Sequence, residues 1–169
     1  SSVGYAQQYY VNNYGIDKGL SSSSVNQIFQ DSKGYLWFAT QGGGVNKFNG
    51  KTFRNYKTED GLLCNDVTCI AEDSKGCLWF GTTEGVSVFD GTKFLNYTSD
   101  NGLGDGVVYS LYADKKDDKI WIALQEGGIQ YYNKGKFENI APLSSKETYA
   151  ITCDKTGNFW FGVSNGISK

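Results

Sequence analysis

The sequence contains no His and a single Arg, Arg54. A Ser-His-Asp triad, a His-containing zinc site and a phosphoaccepting His are therefore impossible within the chain, because each needs an imidazole. Carboxylates remain as acid/base groups, but no pair of them has a spacing that demands catalysis. Cys64, Cys69, Cys77 and Cys153 lack the paired C-x-x-C spacing of a zinc site. Hairpin pairing would set Cys77 near Glu72 rather than near Cys69, so no disulfide is predicted. No metal, cofactor or catalytic residue is expected. What remains is recognition chemistry carried by loop side chains: Gln41, Asn65, Asp66, Glu84, Asp105, Tyr109, Gln125, Glu126 and Asn165. Carboxylates and amides orient a sugar's hydroxyls, and an aromatic ring stacks on its apolar face. The competing reading of each such residue is a solvated loop group with no ligand.

The elements that would position these loops follow from composition and repetition. At 169 residues the chain has ordinary single-domain length. Lys plus Arg total 16 against 18 Asp plus Glu, so no basic field exists to hold nucleic acid or anionic lipid. No apolar stretch approaches the ~20 residues that span a bilayer as a helix. Aromatics reach 15%, Gly totals 22 and Pro142 is the one proline. That balance suits many short strands joined by tight turns.

A period of about 40 residues organises the chain, with Trp at positions 37, 79, 121 and 160. Upstream of each Trp, 25–31 aligns with 67–73, 108–114 and 148–154, and each of these segments ends in Asp. The sequences Asp31-Ser32-Lys33-Gly34, Asp73-Ser74-Lys75-Gly76 and Asp154-Lys155-Thr156-Gly157 read as hairpins in which Asp accepts from turn amides and Gly takes positive φ. The third unit is one residue longer and lacks the Gly, which predicts a looser loop. Asn49-Gly50 and Asp90-Gly91 predict a second, type I′ hairpin in each unit. Four hairpin-linked strands in about 42 residues make a propeller blade. The fold class is therefore all-β, a β-propeller with about four blades: 19–60, 61–101, 102–144 and a partial blade 145–169. The four Trp, recurring at one position of an inner strand, are expected to pack between blades.

The amino terminus follows the pattern too. Val11-Asn12-Asn13-Tyr14 followed by Gly19-Leu20 matches Phe53-Arg54-Asn55-Tyr56 followed by Gly61-Leu62, so residues 7–18 are expected to supply a displaced outer strand to another blade. Remaining blades or a second copy of the chain are the expected partners of the two end faces. Residues 1–6 carry small residues at Gly4 and Ala6, as before a signal-peptide cleavage site. Four unpaired thiols point the other way, toward a reducing compartment.

These residues resemble the two-component regulator propeller repeat, a Val/Ile-rich strand, Asp, Gly, a Trp strand, a Gly turn and a Gly-Leu linker. The matches are Val25, Asp31, Gly34 and Trp37 with Gly61-Leu62, then Val67, Asp73, Gly76 and Trp79 with Gly102-Leu103. The resemblance implies a segment of a seven-bladed, periplasmic or extracellular sensor region of a hybrid two-component system. It also implies an oligosaccharide or other small ligand, with any kinase located C-terminal to this chain. A protein-interaction propeller is the alternative, and a propeller lyase or lactonase is the third reading. The sialidase Asp box has a similar Asp, Gly and Trp pattern, but sialidases grip their substrate with three Arg. Linkers and the loops between second and third strands should share one face, which places the nine candidates there.

Overall fold

The computed structural model describes residues 11–140 and 147–169. The candidate leader, residues 1–6, and residues 7–10 of the predicted outer strand lie outside the described residues. Among the described residues, fifteen strands form four antiparallel sheets, each in simple chain order. Blade 1 is β1 (Val25–Gln30), β2 (Leu36–Thr40), β3 (Gly44–Phe48) and β4 (Phe53–Tyr56). Blade 2 is β5 (Val67–Glu72), β6 (Leu78–Thr82), β7 (Val86–Phe89) and β8 (Phe94–Tyr97). Blade 3 is β9 (Val108–Asp114), β10 (Lys119–Leu124), β11 (Gly128–Asn133) and β12 (Lys136–Asn139). Blade 4 is β13 (Thr148–Cys153), β14 (Phe159–Val163) and β15 (Gly166–Ser168). The innermost strands lie side by side in order, β1 against β5, β5 against β9 and β9 against β13. This is the propeller predicted from the repeat.

Because a strand points successive side chains to opposite faces, a middle blade feeds two cores at once. In β6, Leu78 and Phe80 join Trp37, Val45 and Tyr56 of blade 1. Trp79 turns the other way, toward Val108, Ile120 and Ile122 of blade 3. All five residues of β6 are consequently buried. The face of β1 that no described blade covers shows the converse: Ile28 is 60% exposed, where its counterpart Ile70 is 2% exposed. Burying one such aliphatic side chain is worth roughly 1.5–3 kcal/mol, so blade-on-blade contact holds the arrangement. Gly81 marks how close that contact is. A Cβ there would strike Cys69 Sγ and lie 2.7 Å from Val108 Cγ1.

The turn aspartate does more than cap its turn. Asp31 Oδ1 accepts from Lys33 N at 3.0 Å and Tyr35 N at 2.8 Å, while Oδ2 accepts from Trp37 Nε1 at 2.8 Å. The same indole bond recurs from Trp79 to Asp73 at 3.0 Å and from Trp160 to Asp154 at 2.8 Å. A buried indole N–H needs an acceptor, and six residues of separation deliver it. Blade 3 has seven. There Asp114 accepts only from Lys116 N and Asp117 N, and Trp121 Nε1 has no partner among the described residues. Asp118 takes the left-handed conformation, φ 51°, that Gly34 and Gly76 occupy in the shorter turns. The Trp expectation holds for Trp37 and Trp79, at 1% and 3% exposure, and for Trp121, half-buried but packed on the core between blades 3 and 4 with its ring 4.2 Å from Phe159; Trp160 is half-buried.

The outer hairpins differ from the type I′ expectation. Asn49 and Asp90 do not have positive φ; only Gly50 and Gly91 do. Asn49 Oδ1 instead accepts from Lys51 N and Thr52 N, and Asp90 Oδ1 from Thr92 N and Lys93 N. The side chain supplies the turn's acceptor, so a wider loop suffices. Two-residue geometry with positive φ at both positions occurs at Lys134 and Gly135, between the paired Asn133 and Lys136.

Val11–Tyr14 pair with no described sheet, yet Tyr14 holds a repeated place. Its ring lies 5.1 Å from Phe48 and 6.1 Å from Phe53. Tyr56 meets Phe89 and Phe94 at 5.2 and 5.9 Å, and Tyr97 meets Tyr132 and Phe137 at 5.4 and 5.1 Å. A 3-10 turn, a left-handed Gly and a buried Leu then follow in all three: Ile16–Lys18, Gly19 and Leu20; Thr58–Asp60, Gly61 and Leu62; Ser99–Asn101, Gly102 and Leu103.

Candidate functional site

One repeated hydrogen bond builds the linker face. The first backbone N–H of each β2–β3-type turn donates to the linker of its own blade. The bonds run from Gln41 to Ser24 at 3.0 Å, Thr83 to Asp66 at 3.2 Å, Gln125 to Val107 at 2.9 Å and Ser164 to Glu147 at 3.3 Å. Gln41, Glu84, Gln125, Glu126 and Asn165 are thereby carried on turns that sit beside the linkers holding Asn65, Asp66 and Asp105. The sequence-predicted set thus gathers at one end of the blades. Blade 3 brings four of them together: Asp105 and Gly106 lie against Gln125–Gly127, two residues ahead of Val108-Tyr109.

The set then divides by what the side chains touch. Asp66 Oδ1 accepts from Gly42 N at 2.8 Å, and Asn65 Oδ1 accepts from Thr58 N at 3.0 Å while its carbonyl accepts from Gly44 N at 2.9 Å. These two residues clamp the linker to blade 1. Glu84 is exposed and is anchored through its backbone, which donates to Thr82 Oγ1 at 3.1 Å. Gln41, Asp105, Glu126 and Asn165 are exposed as well, and Gln125 is half-buried.

Tyr109 sits at a bulge. In every blade the innermost strand carries one extra residue near its start: Asn26, Thr68, Tyr109 and Tyr149. A bulge leaves its residue outside the ladder and re-aims the side chain. In the first two blades the re-aimed group ties to the next blade. Asn26 Nδ2 donates to Val67 O at 2.7 Å, and Thr68 Oγ1 donates to Val108 O. In blade 3 the tie is replaced by a ring contact, Tyr109 to Tyr149, with centroids 5.4 Å apart and planes inclined at 55°. Tyr109 is 36% and Tyr149 44% exposed. Tyr149 Oη donates to Glu147 Oε2 at 2.9 Å, and this bond raises the phenol pKa above its ordinary value. Sequence reasoning selected Tyr109 but missed Tyr149 and Glu147. The column Asn26, Thr68, Tyr109, Tyr149 was the signal, since its third and fourth members change from small polar to aromatic.

The thiols take no part. All four cysteines are free, and burial pushes the Cys69 thiol up to about 11, leaving it protonated at neutral pH. Among the described residues no cluster of His, Cys, Asp and Glu could hold a metal ion. No described helix is long and apolar enough to cross a membrane.

Fold and linker-face geometry define a propeller of repeated four-stranded blades. Residues 19–42 and 61–84 match the two component regulator propeller model. No curated protein matches it in sequence. Among solved structures, it resembles the extracellular domain of the hybrid two component system BT3049 from B. thetaiotaomicron at TM-score 0.83 and 24% identity, covering 96% of this chain and 24% of that one. The extracellular domain of the one component system BT4673 from the same organism follows at TM-score 0.74 and 24% identity, over 88% and 23%. Virginiamycin B lyase from Staphylococcus aureus superimposes at TM-score 0.62 and 16% identity, over 83% and 53%. The chain spans about a quarter of the two B. thetaiotaomicron domains, and the likeness to all three is one of fold.

Proposed function

We propose that this chain is part of the extracytoplasmic sensor region of a bacterial two-component regulator, and that its linker face binds an oligosaccharide. One observation carries the reading. Blades 1, 2 and 4 repeat one hairpin chemistry, with Asp serving the same turn and indole in each, whereas the linker face keeps its backbone bonding in all four blades and changes its side chains from blade to blade. Backbone constancy preserves the fold, so the variable groups are available to a ligand. Glu84, Glu126 and Tyr109 are the contacts the reading relies on most. Asn65 and Asp66 support the face by fixing its loops. The repeat family and the extracellular domains it resembles favour a sensor. A lyase role is disfavoured by the absence of His from the chain, which removes the commonest general acid/base.

The test is a glycan library titrated against wild type, Glu84→Ala, Glu126→Ala and a hairpin-end control, Lys75→Ala. Binding that weakens in the two Glu variants and persists in Lys75→Ala supports the reading. Binding altered only in Lys75→Ala would move the site to the opposite end of the blades.

A further inference from the structure

The two ends of the blades differ in charge. Among the described residues, the linkers and second-to-third-strand turns (15–24, 41–43, 57–66, 83–85, 98–107, 125–127, 147 and 164–165) hold nine Asp and Glu against two Lys, Lys18 and Lys57. The hairpin turns at the other end (31–35, 49–52, 73–77, 90–93, 114–118, 134–135 and 154–158) hold seven Asp against eight Lys. An acidic rim repels a polyanion approaching through solvent.

On that rim lies one pair of exposed aromatic rings that the fold does not require. Asn26 and Thr68 show what the bulge position does structurally, a hydrogen bond to the next blade's carbonyl. Tyr109 makes none and instead meets Tyr149. At 5.4 Å between centroids the rings touch, so nothing inserts between them; their outward faces form one bent surface. Glu147 sits at its edge, its carboxylate fixed by Tyr149 Oη, and the turn carrying Gln125 and Glu126 is bonded to the linker at Val107, two residues before Tyr109. An apolar platform bordered by acceptors matches a pyranose ring, which presents C–H groups on one face and hydroxyl donors around its edge.

We infer that Tyr109 and Tyr149 form a stacking platform for a neutral pyranoside, with Glu147 and Glu126 accepting hydroxyl hydrogen bonds, and that sulfated or uronate-rich glycans are rejected by the rim's charge. The inference rests on the oligosaccharide reading above and narrows it to uncharged ligands and to the junction of blades 3 and 4.

The experiment is isothermal titration at low salt of the whole chain with two panels: neutral hexasaccharides (xylo-, manno-, cello- and malto-) and anionic ones (heparin and oligogalacturonate hexamers). Wild type, Tyr109→Ala, Tyr149→Ala, Tyr109→Phe, Tyr149→Phe and Glu84→Ala are compared, each after a thermal melt to establish folding. A neutral glycan should bind wild type, lose about ten-fold or more in affinity in each Ala variant, and hold within about three-fold in the Phe variants, which keep the ring. Neither anionic hexamer should compete. Equal affinity in wild type and both Ala variants, with loss in Glu84→Ala, would overturn the platform and leave the oligosaccharide reading standing. Heparin or oligogalacturonate binding more tightly than every neutral glycan would overturn the charge argument. Failure of all glycans to bind wild type would overturn the oligosaccharide reading and this inference together.

Discussion

Replacing Asp31 by Ala should unfold blade 1 far more readily than replacing Asp114 by Ala unfolds blade 3, although the two occupy one repeat position. Asp31 is 7% exposed and Trp37 1%, and the carboxylate takes three bonds, of which the indole bond at 2.8 Å is inaccessible to water. Its removal orphans a buried donor at about 1–3 kcal/mol and loses two turn bonds of about 0.5–1.5 kcal/mol each, or roughly 2–6 kcal/mol in all. Asp114 holds two turn amides, at 3.1 and 3.3 Å, and no indole. Its loss costs about 1 kcal/mol, because both amides can turn to solvent. Urea denaturation followed by tryptophan fluorescence measures the difference, read as the shift in midpoint at constant slope. A cycle with Trp37→Phe isolates the indole bond, whose coupling to a charged acceptor should be about 1.5–3 kcal/mol. Equal midpoints for Asp31→Ala and Asp114→Ala, or no coupling in the cycle, would refute the claim that the Asp–Trp bond holds the blade.

Other outcomes follow from the same structure. Thr148 is fully buried with Oγ1 unpartnered among the described residues, in a column otherwise filled by Val25, Val67 and Val108; Thr148→Val should therefore stabilise the chain by about 1–2 kcal/mol, and a lowered melting temperature would contradict this. Asp154 is held well below the usual carboxylate range by bonds from Thr156, Trp160 and Asn158, and Asp90 is held at about 2 by bonds from Thr92 and Lys93. Both folded-state values are depressed, so their contribution is complete above the unfolded value near 3.8 and is lost as pH falls below it; a melting temperature flat between pH 4 and 2 would count against that. Cys69 should resist a thiol reagent at pH 8 in the native chain while the half-buried Cys77 and Cys153 react, and labelling of Cys69 as fast as in urea would show its burial is not maintained. If Val11–Tyr14 occupy an outer-strand place, Tyr14→Ala should cost about 1 kcal/mol through its contacts with Phe48 and Phe53, whereas a passive tail would leave the melt unchanged.

The propeller was legible because its cause is periodic: Trp37, Trp79, Trp121 and Trp160 and the aspartates before them recur at near-constant spacing, and short hairpins leave few ways to connect them. The linker face was legible for the same reason, since antiparallel order alone sends linkers and second-to-third-strand turns to one end. Two things were hidden. The role of Asp31 as an indole acceptor depends on a reach across the hairpin, which a count of six residues permits but does not announce. The bulges at Asn26, Thr68, Tyr109 and Tyr149 arise from backbone pairing, so the column's change from small polar to aromatic residues could flag the two Tyr but not the bulge that re-aims them. The type I′ expectation failed at Asn49 and Asp90 because their own side chains satisfy the turn amides, so positive φ at the first position is unnecessary.

The bulge contacts also run in one direction. Asn26 reaches forward to Val67, Thr68 to Val108 and Tyr109 to Tyr149, and in each case the receiving group is the next blade's backbone or bulge. For the two hydrogen bonds the receiver is a main-chain carbonyl, which every residue type supplies. The donor position is consequently loosely coupled to the identity of its neighbour, and a new side chain there can be tried without a matching change downstream. Tyr109 and Tyr149, by contrast, are joined ring to ring, so their junction must vary as a pair. A rim built this way lets inherited variation sample recognition groups one blade at a time, except at the one joint where two blades are committed together.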